Sequence, residues 1–261
     1  MITIKTKEQI ELMRIAGSIV AETLELIKAY AKPGISTKAL DKIAHEYIIS
    51  RGAKPSFLHY QGFPATICTS VDDVVVHGFP SDKILKEGEI LSVDYGAIFK
   101  GWHGDAARTF AIGKISPEKQ KLIDVTEASF FEGIKALKEG SRLGDIGSRV
   151  QTYAEKFGYG VVRDFVGHGI GRHMHEDPAV PNYGMAGTGM KLKAGHTIAI
   201  EPMINMGSPA VKINGWDHRT RDGLPSAHYE NTVLITESGC EILTQILPEG
   251  KEILMSKLEA E

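Results

Sequence analysis

Two stretches of the chain repeat each other at a nearly fixed distance, and the repeat limits the fold more than any other feature. In "KEGEILSVD" (86–94) and "KAGHTIAIE" (193–201) a Lys-x-Gly turn leads through apolar residues to an acid. Lys86 and Lys193 therefore stand 107 residues apart, as do Asp94 and Glu201. Upstream, Lys32 and Lys138 head two helix patterns that end at Gly52 and Gly158, and each of these pairs is separated by 106. Two copies fall short of the three or more units that a solenoid needs to bury a continuous core. They predict instead two αβ halves, 6–112 and 117–245, packed about a pseudo-twofold axis, with Asp94 and Glu201 facing each other beside it. No Gly/Ser/Pro-rich linker divides the halves, which predicts one domain over 1–261. Strands and helices without a strict βαβ rhythm predict an α+β fold with mainly antiparallel sheet.

Within that plan, "TKEQ" sets Thr6 three residues before Gln9, a capping-box pattern, and Ile10, Met13, Gly17, Val20, Leu24 and Ile27 follow at helical spacing. The helix after "KPGIST" carries Leu40, Ile43, Ala44, Tyr47 and Ile48 on one face, and its later counterpart carries Ile146, Val150, Tyr153 and Phe157. Gly52 and Gly158 suit the left-handed position that closes each helix. With 261 residues, 42% apolar and 24% charged, the chain can bury a substantial core. A net charge of −3 gives no basic footprint for nucleic acid. No run approaches the roughly 18 apolar residues of a membrane span, and the first residues read as neither a signal nor a transit peptide. Cys68 and Cys240 form no CxxC pair and fit a reducing compartment. The expectation is a cytoplasmic protein, monomeric by default.

The stretch "DYGAIFKGWHGD" (94–105) reads as a hairpin turning near Lys100 and Gly101, which places Asp94 and Asp105 close to opposite one another on one face. Like charges there destabilise a sheet unless something positive lies between them; the alternative is a solvated hairpin face. Glu201, before Pro202, ends a strand apolar on both sides, an expensive place for an unpaired charge. Glu230 sits in "AHYENTVLIT" where a polar loop becomes an apolar strand, and His168 lies between glycines in "FVGHGIG". Four carboxylates balance two divalent cations, and one neutral imidazole completes a ligand set suited to manganese, iron, cobalt or zinc. His168, His173 and His175 cluster in "GHGIGRHMHEDP", which by spacing alone fits a surface loop or a mononuclear site. HExxH is absent.

Taken together, "MRIAGSIV", "VVVHGFP", "VDYGAIFKGWHGDAART", "GHGIGRHMHEDP", "AIEPM" and "AHYENTVLITESGCEILT" resemble, in order and over nearly the whole chain, the type I methionine aminopeptidases of the pita-bread metallopeptidase superfamily. The resemblance implies the pita-bread fold. It implies that Asp94, Asp105, His168, Glu201 and Glu230 bind two divalent metals, with Asp105 and Glu230 bridging. It further implies that His77 and His175 contact the substrate near the scissile bond, and that Tyr60, Phe63, Cys68 and Trp216 line a methionine pocket. For Cys68, core packing is an equal reading. The implied activity is hydrolytic removal of N-terminal methionine from nascent polypeptides with a small second residue, by a metal-activated hydroxide. Glu201 would shuttle the proton to the departing amine, and His77 would bond the backbone of the following residue. Transient ribosome association is a further partner on which the sequence is silent.

Met174, Ala199, Asn231 and Phe57 depart from the commonest pattern of that family and bear on pocket shape and metal preference. Two alternatives compete. A prolidase or aminopeptidase P would use the same five ligands on X-Pro bonds, but usually with a large N-terminal domain, whereas this chain starts almost at its first helix. A non-catalytic module of the same fold would generally lose ligands, and all five are present.

Overall fold

The Thr6 capping box starts a helix as read: in the computed structural model, which describes residues 2–259, the Gln9 N–H donates to Thr6 Oγ1 and the Gln9 side chain accepts from the Thr6 N–H. Five α-helices follow in order: α1 (Lys7–Tyr30), α2 (Thr37–Ser50), α3 (Pro117–Ile134), α4 (Leu143–Glu155) and α5 (Pro248–Glu259). The first two back a sheet built from Lys54–Pro55, Cys68–Val71 and the long hairpin Ile90–Phe99/Trp102–Ala111. The next two belong to the half whose sheet runs Cys240–Ile242, Asn231–Ile235, Thr197–Ile200, Gly167–Gly169 and Glu176–Val180. Every strand pair described is antiparallel.

Several positions matched in the sequence repeat take matching backbone arrangements. Gly88 and Gly195 both take φ +87°, and the helix-closing Gly52 and Gly158 take +69° and +78°. Isolated bridges join Ser36 to Ile84 in one half and Arg142 to Lys191 in the other, again 106 and 107 residues apart. Both predicted strands have every residue buried up to the acid, because helices or the opposing half cover each face. Two apolar clusters draw on both halves: Ile90 packs with Val125, Ala154 and Ile204, and Met13 with Trp102, Ile170 and Leu234. Helix α1 lies so close that a Cβ on Gly17 would collide with the backbone of Leu243, so only glycine fits.

Two expectations need correction. A two-residue turn pairs Phe99 with Trp102, with Lys100 at φ +48° and Gly101 at +81°, which sets Asp94 opposite Ala107 and Asp105 opposite Gly96. The two acids are diagonal neighbours on one face, not direct partners. Helix α4 ends at Glu155, so Phe157 leaves the apolar face and lies 38% exposed against Tyr153 and beneath Lys121.

Candidate active site

The backbone junction between the two halves builds the acidic centre. Glu230, between Ser226–His228 and Asn231–Ile235, donates its N–H to Ala107 O (3.0 Å), and Ala107 N–H returns to Glu230 O (3.4 Å). Two residues further along each segment, Asp105 N–H donates to Thr232 Oγ1 and the Thr232 hydroxyl donates to Asp105 O, both at 3.0 Å. Arg108 clamps the seam: Nη1 donates to Glu230 O (2.6 Å) and Ala107 O (2.8 Å), and Nη2 donates to Asn231 Oδ1 (2.8 Å). Asn231 thus positions the strand that carries Glu230, and it also accepts from Thr244 Oγ1. The seam delivers Asp105 and Glu230, the hairpin delivers Asp94, and Glu201 stands one residue beyond Thr197–Ile200.

Asp94, Asp105 and Glu230 are buried, the last two to 2% exposure, and the Glu201 side chain is 12% exposed. Burial raises every one of their pKa values, Asp105 to about 7 and the others well above the carboxylate range, and repulsion among neighbours adds to the rise at Asp94, Glu201 and Glu230. Asp94 Oδ1, Asp105 Oδ1 and Glu230 Oε1 have no hydrogen-bond partner among the described residues. Buried oxygens left unpaired in a cluster of acids are the donor set a hard or borderline divalent cation satisfies.

His168 is prepared for the same task. Its Nδ1 donates to Gly169 O (2.8 Å), which leaves Nε2 bare, 3.7 Å from Asp105 Oδ2 and 3.7 Å from Glu201 Oε1. Burial pushes its pKa down to about 3, so the ring is neutral. Asp105, His168 and Glu230 form one set whose ligand atoms lie within 4.8 Å of one another; Asp94, His228 and Glu230 form a second. The two sets share Glu230, an arrangement that fits two adjacent ions.

His228 escapes the sequence reading. Its buried Nε2 is unpartnered, 3.8 Å from Glu201 Oε2 and 3.7 Å from Glu230 Oε2. The available signal is the two-residue spacing His228-x-Glu230, which keeps side chains of an extended segment on one side.

Tyr60, Phe63, Cys68, His77, His175 and Trp216 line the same cavity as Asp94, Asp105, His168, Glu201 and Glu230, so the structure brings every predicted site residue together. Phe63 meets Phe57, Phe79 and Trp216 edge to face, with centroids 6.1, 5.2 and 5.6 Å away. Cys68 pairs with Asp94 in the ladder, and burial pushes its thiol pKa well up, which makes it an inert wall. Phe165, Met174 and Met203 complete the lining. Of the three clustered histidines, His173 and His175 are both exposed, and His175 stands 4.2 Å from the His168 ring with its Nδ1 hydrogen-bonded to Tyr60 Oη at 2.7 Å. His77 is held at φ +61°, a conformation sparsely populated by non-glycine residues, between Phe165 and Trp216.

Comparison with known proteins agrees with this geometry. The model of metallopeptidase family M24 matches residues 11–237. The methionine aminopeptidase of Clostridium acetobutylicum is 56% identical over 94% of this chain and 99% of its own. Among solved structures, methionine aminopeptidase from Thermotoga maritima superposes with a TM-score of 0.92 at 44% identity, covering 94% of this chain and all of the other. Prolidase from Pyrococcus furiosus gives 0.74 at 26% identity, and the match spans 93% of this chain but 65% of the prolidase. The chain belongs to metallopeptidase family M24.

Proposed function

We propose that this protein is a methionine aminopeptidase that releases the N-terminal methionine from nascent polypeptides and peptides. The observation that carries the reading is one cavity with an acidic, histidine-bearing end and an aromatic, sulfur-compatible end. High identity along nearly the full length of the curated relatives supports it.

A divalent cation in this family supplies Lewis acidity and makes water nucleophilic near neutral pH. Asp94, Asp105, His168, Glu201 and Glu230 would hold two such ions, manganese, iron, cobalt or zinc. Phe63, Trp216, Tyr60 and Cys68 hold the methionine side chain by dispersion and sulfur–aromatic contact. With Tyr60 Oη as donor to His175 Nδ1, 2.7 Å away, His175 Nε2–H faces the carbonyl oxygen on which charge develops. Glu201, on the wall of the same cavity, carries the proton toward the departing amine. A small second residue is preferred. The catalytic unit spans 1–261 as one domain, acting as a cytoplasmic monomer; no described helix is long and apolar enough to cross a membrane.

Rates on Met-Ala-Ser, Leu-Ala-Ser and a Leu-Pro peptide test this. Release from Met-Ala-Ser alone is expected. Cleavage confined to the Leu-Pro peptide would move the protein to the prolidase branch, and silence on all three with metal bound would mark a binding module.

A further inference from the structure

His218 lies outside every predicted set, yet it holds one of the substrate-facing groups. It sits in Asp217–Thr220, 6% exposed, paired with Val76 across the ladder and stacked 4.7 Å from Phe165. Its Nε2 is 2.9 Å from Gly215 O, and its Nδ1 is 3.1 Å from His77 Nδ1.

These two distances fix the protons on both rings. A carbonyl only accepts, so His218 Nε2 carries hydrogen. Burial lowers the His218 pKa against the pull of the nearby Gly215 and Val76 carbonyls, and in the neutral ring with hydrogen on Nε2 the Nδ1 is bare. Two bare nitrogens at 3.1 Å would repel, so the hydrogen between them belongs to His77 Nδ1. His77 is neutral as well, since burial pushes its pKa down to about 4, and its Nε2 is therefore a lone pair.

We propose that His218 is a positioning residue that locks the tautomer of His77, so that His77 offers the substrate a hydrogen-bond acceptor at Nε2 and pairs with the backbone N–H of the second residue. The inference deepens the proposed function and rests on it for the identity of the substrate. His175 and His77 then present a donor and an acceptor to a peptide unit, which carries one C=O and one N–H. A His77 without hydrogen on Nε2 does not protonate the leaving amine, and that task stays with Glu201. The αL backbone of His77 fits this role, since such a conformation is costly for a non-glycine residue and persists where the surroundings over-determine it.

Long-range proton–nitrogen correlation spectra of histidine-labelled protein at neutral pH test the proposal directly, with H77Q for assignment. His77 is expected to show a protonated Nδ1 and a bare Nε2. H218F removes the acceptor while filling the space and should shift His77 toward the Nε2-protonated form. H218N, whose Oδ1 can stand where the ring Nδ1 stood, should retain the wild-type tautomer. For Met-Ala-Ser, H218F should lose about tenfold in kcat/KM, the scale of one hydrogen bond, and H218N about twofold or less. A bare Nδ1 on His77 in the wild type, or an unchanged tautomer in H218F, overturns the proposal. Should H218F fail to fold, the wild-type and H218N spectra still decide. Absence of methionine release by the wild type would sink the proposed function, and the spectra would judge His218 independently.

Discussion

At one end of the cavity Asp94, Asp105, Glu201 and Glu230 crowd together, all but Glu201 with an unpartnered oxygen, and at the other Phe57 and Trp216 pack edge to face on Phe63. The aromatic end lowers the free energy of the fold through its own contacts. The acidic end raises it, and is held in place by the Arg108 clamp, the Thr232 exchange and the backbone seam between the halves. A cluster maintained against its own repulsion is there for what it binds. Substitutions at the two ends should therefore act in opposite directions on stability and on chemistry.

The largest effect is expected at Asp105. Asp105→Asn should lower methionine release on the order of 10³-fold, equivalent to several kcal/mol of lost Lewis-acid stabilisation. The melting temperature of the metal-free variant should equal or exceed that of the metal-free parent, because a buried ionisable group has gone; a drop of several degrees would break the contrast. Phe63→Ala should do the reverse. It should cost about 3 kcal/mol of stability with or without metal and raise KM, while leaving the number of bound ions unchanged, as denaturant titration and metal analysis would show.

The sign of the pH dependence separates the ends further. Acids whose folded pKa is raised bind more protons folded than unfolded, so the stability they contribute is lost as pH rises toward the folded pKa. Between pH 7 and pH 9 the unfolded carboxylates are ionised and the unfolded histidines neutral. Metal-free protein should lose stability across that window, by about 1.4 kcal/mol per pH unit for each proton released, and metal-loaded protein should show a flatter curve. Equal slopes would mean that the acids are satisfied without cations. The smallest effect belongs to Cys68→Ala, about 1 kcal/mol, with a KM for Met-Ala-Ser raised less than tenfold and no change in metal content.

Local and periodic features were legible in the sequence. The capping box at Thr6, the two-residue turn at Lys100 and Gly101, and the repeat later seen in the bridges at Ser36 and Arg142 all depend on neighbours or a constant offset. The five predicted ligands and six pocket residues came from motifs whose order along the chain survives folding, and they line one cavity. The register of Asp94 and Asp105 was misread by two residues, because direct opposition needs a loop centred between Phe99 and Lys100, one residue before the Lys100–Gly101 turn. His228, Arg108 and His218 were also missed. The partners of Arg108 and His218 lie far along the chain, as with the 141 residues between His77 and His218, and no spacing rule reaches that far, whereas the two-residue spacing of His228 to Glu230 was there to be read.

The most direct test of the account is metal titration of the chelated protein with manganese or cobalt, following methionine release from Met-Ala-Ser and bound metal together. The account predicts negligible release without metal, recovery on addition, saturation of binding at two ions per chain, and silence of Asp105→Asn throughout. Undiminished release by the chelated protein, or none with two ions bound, would contradict it.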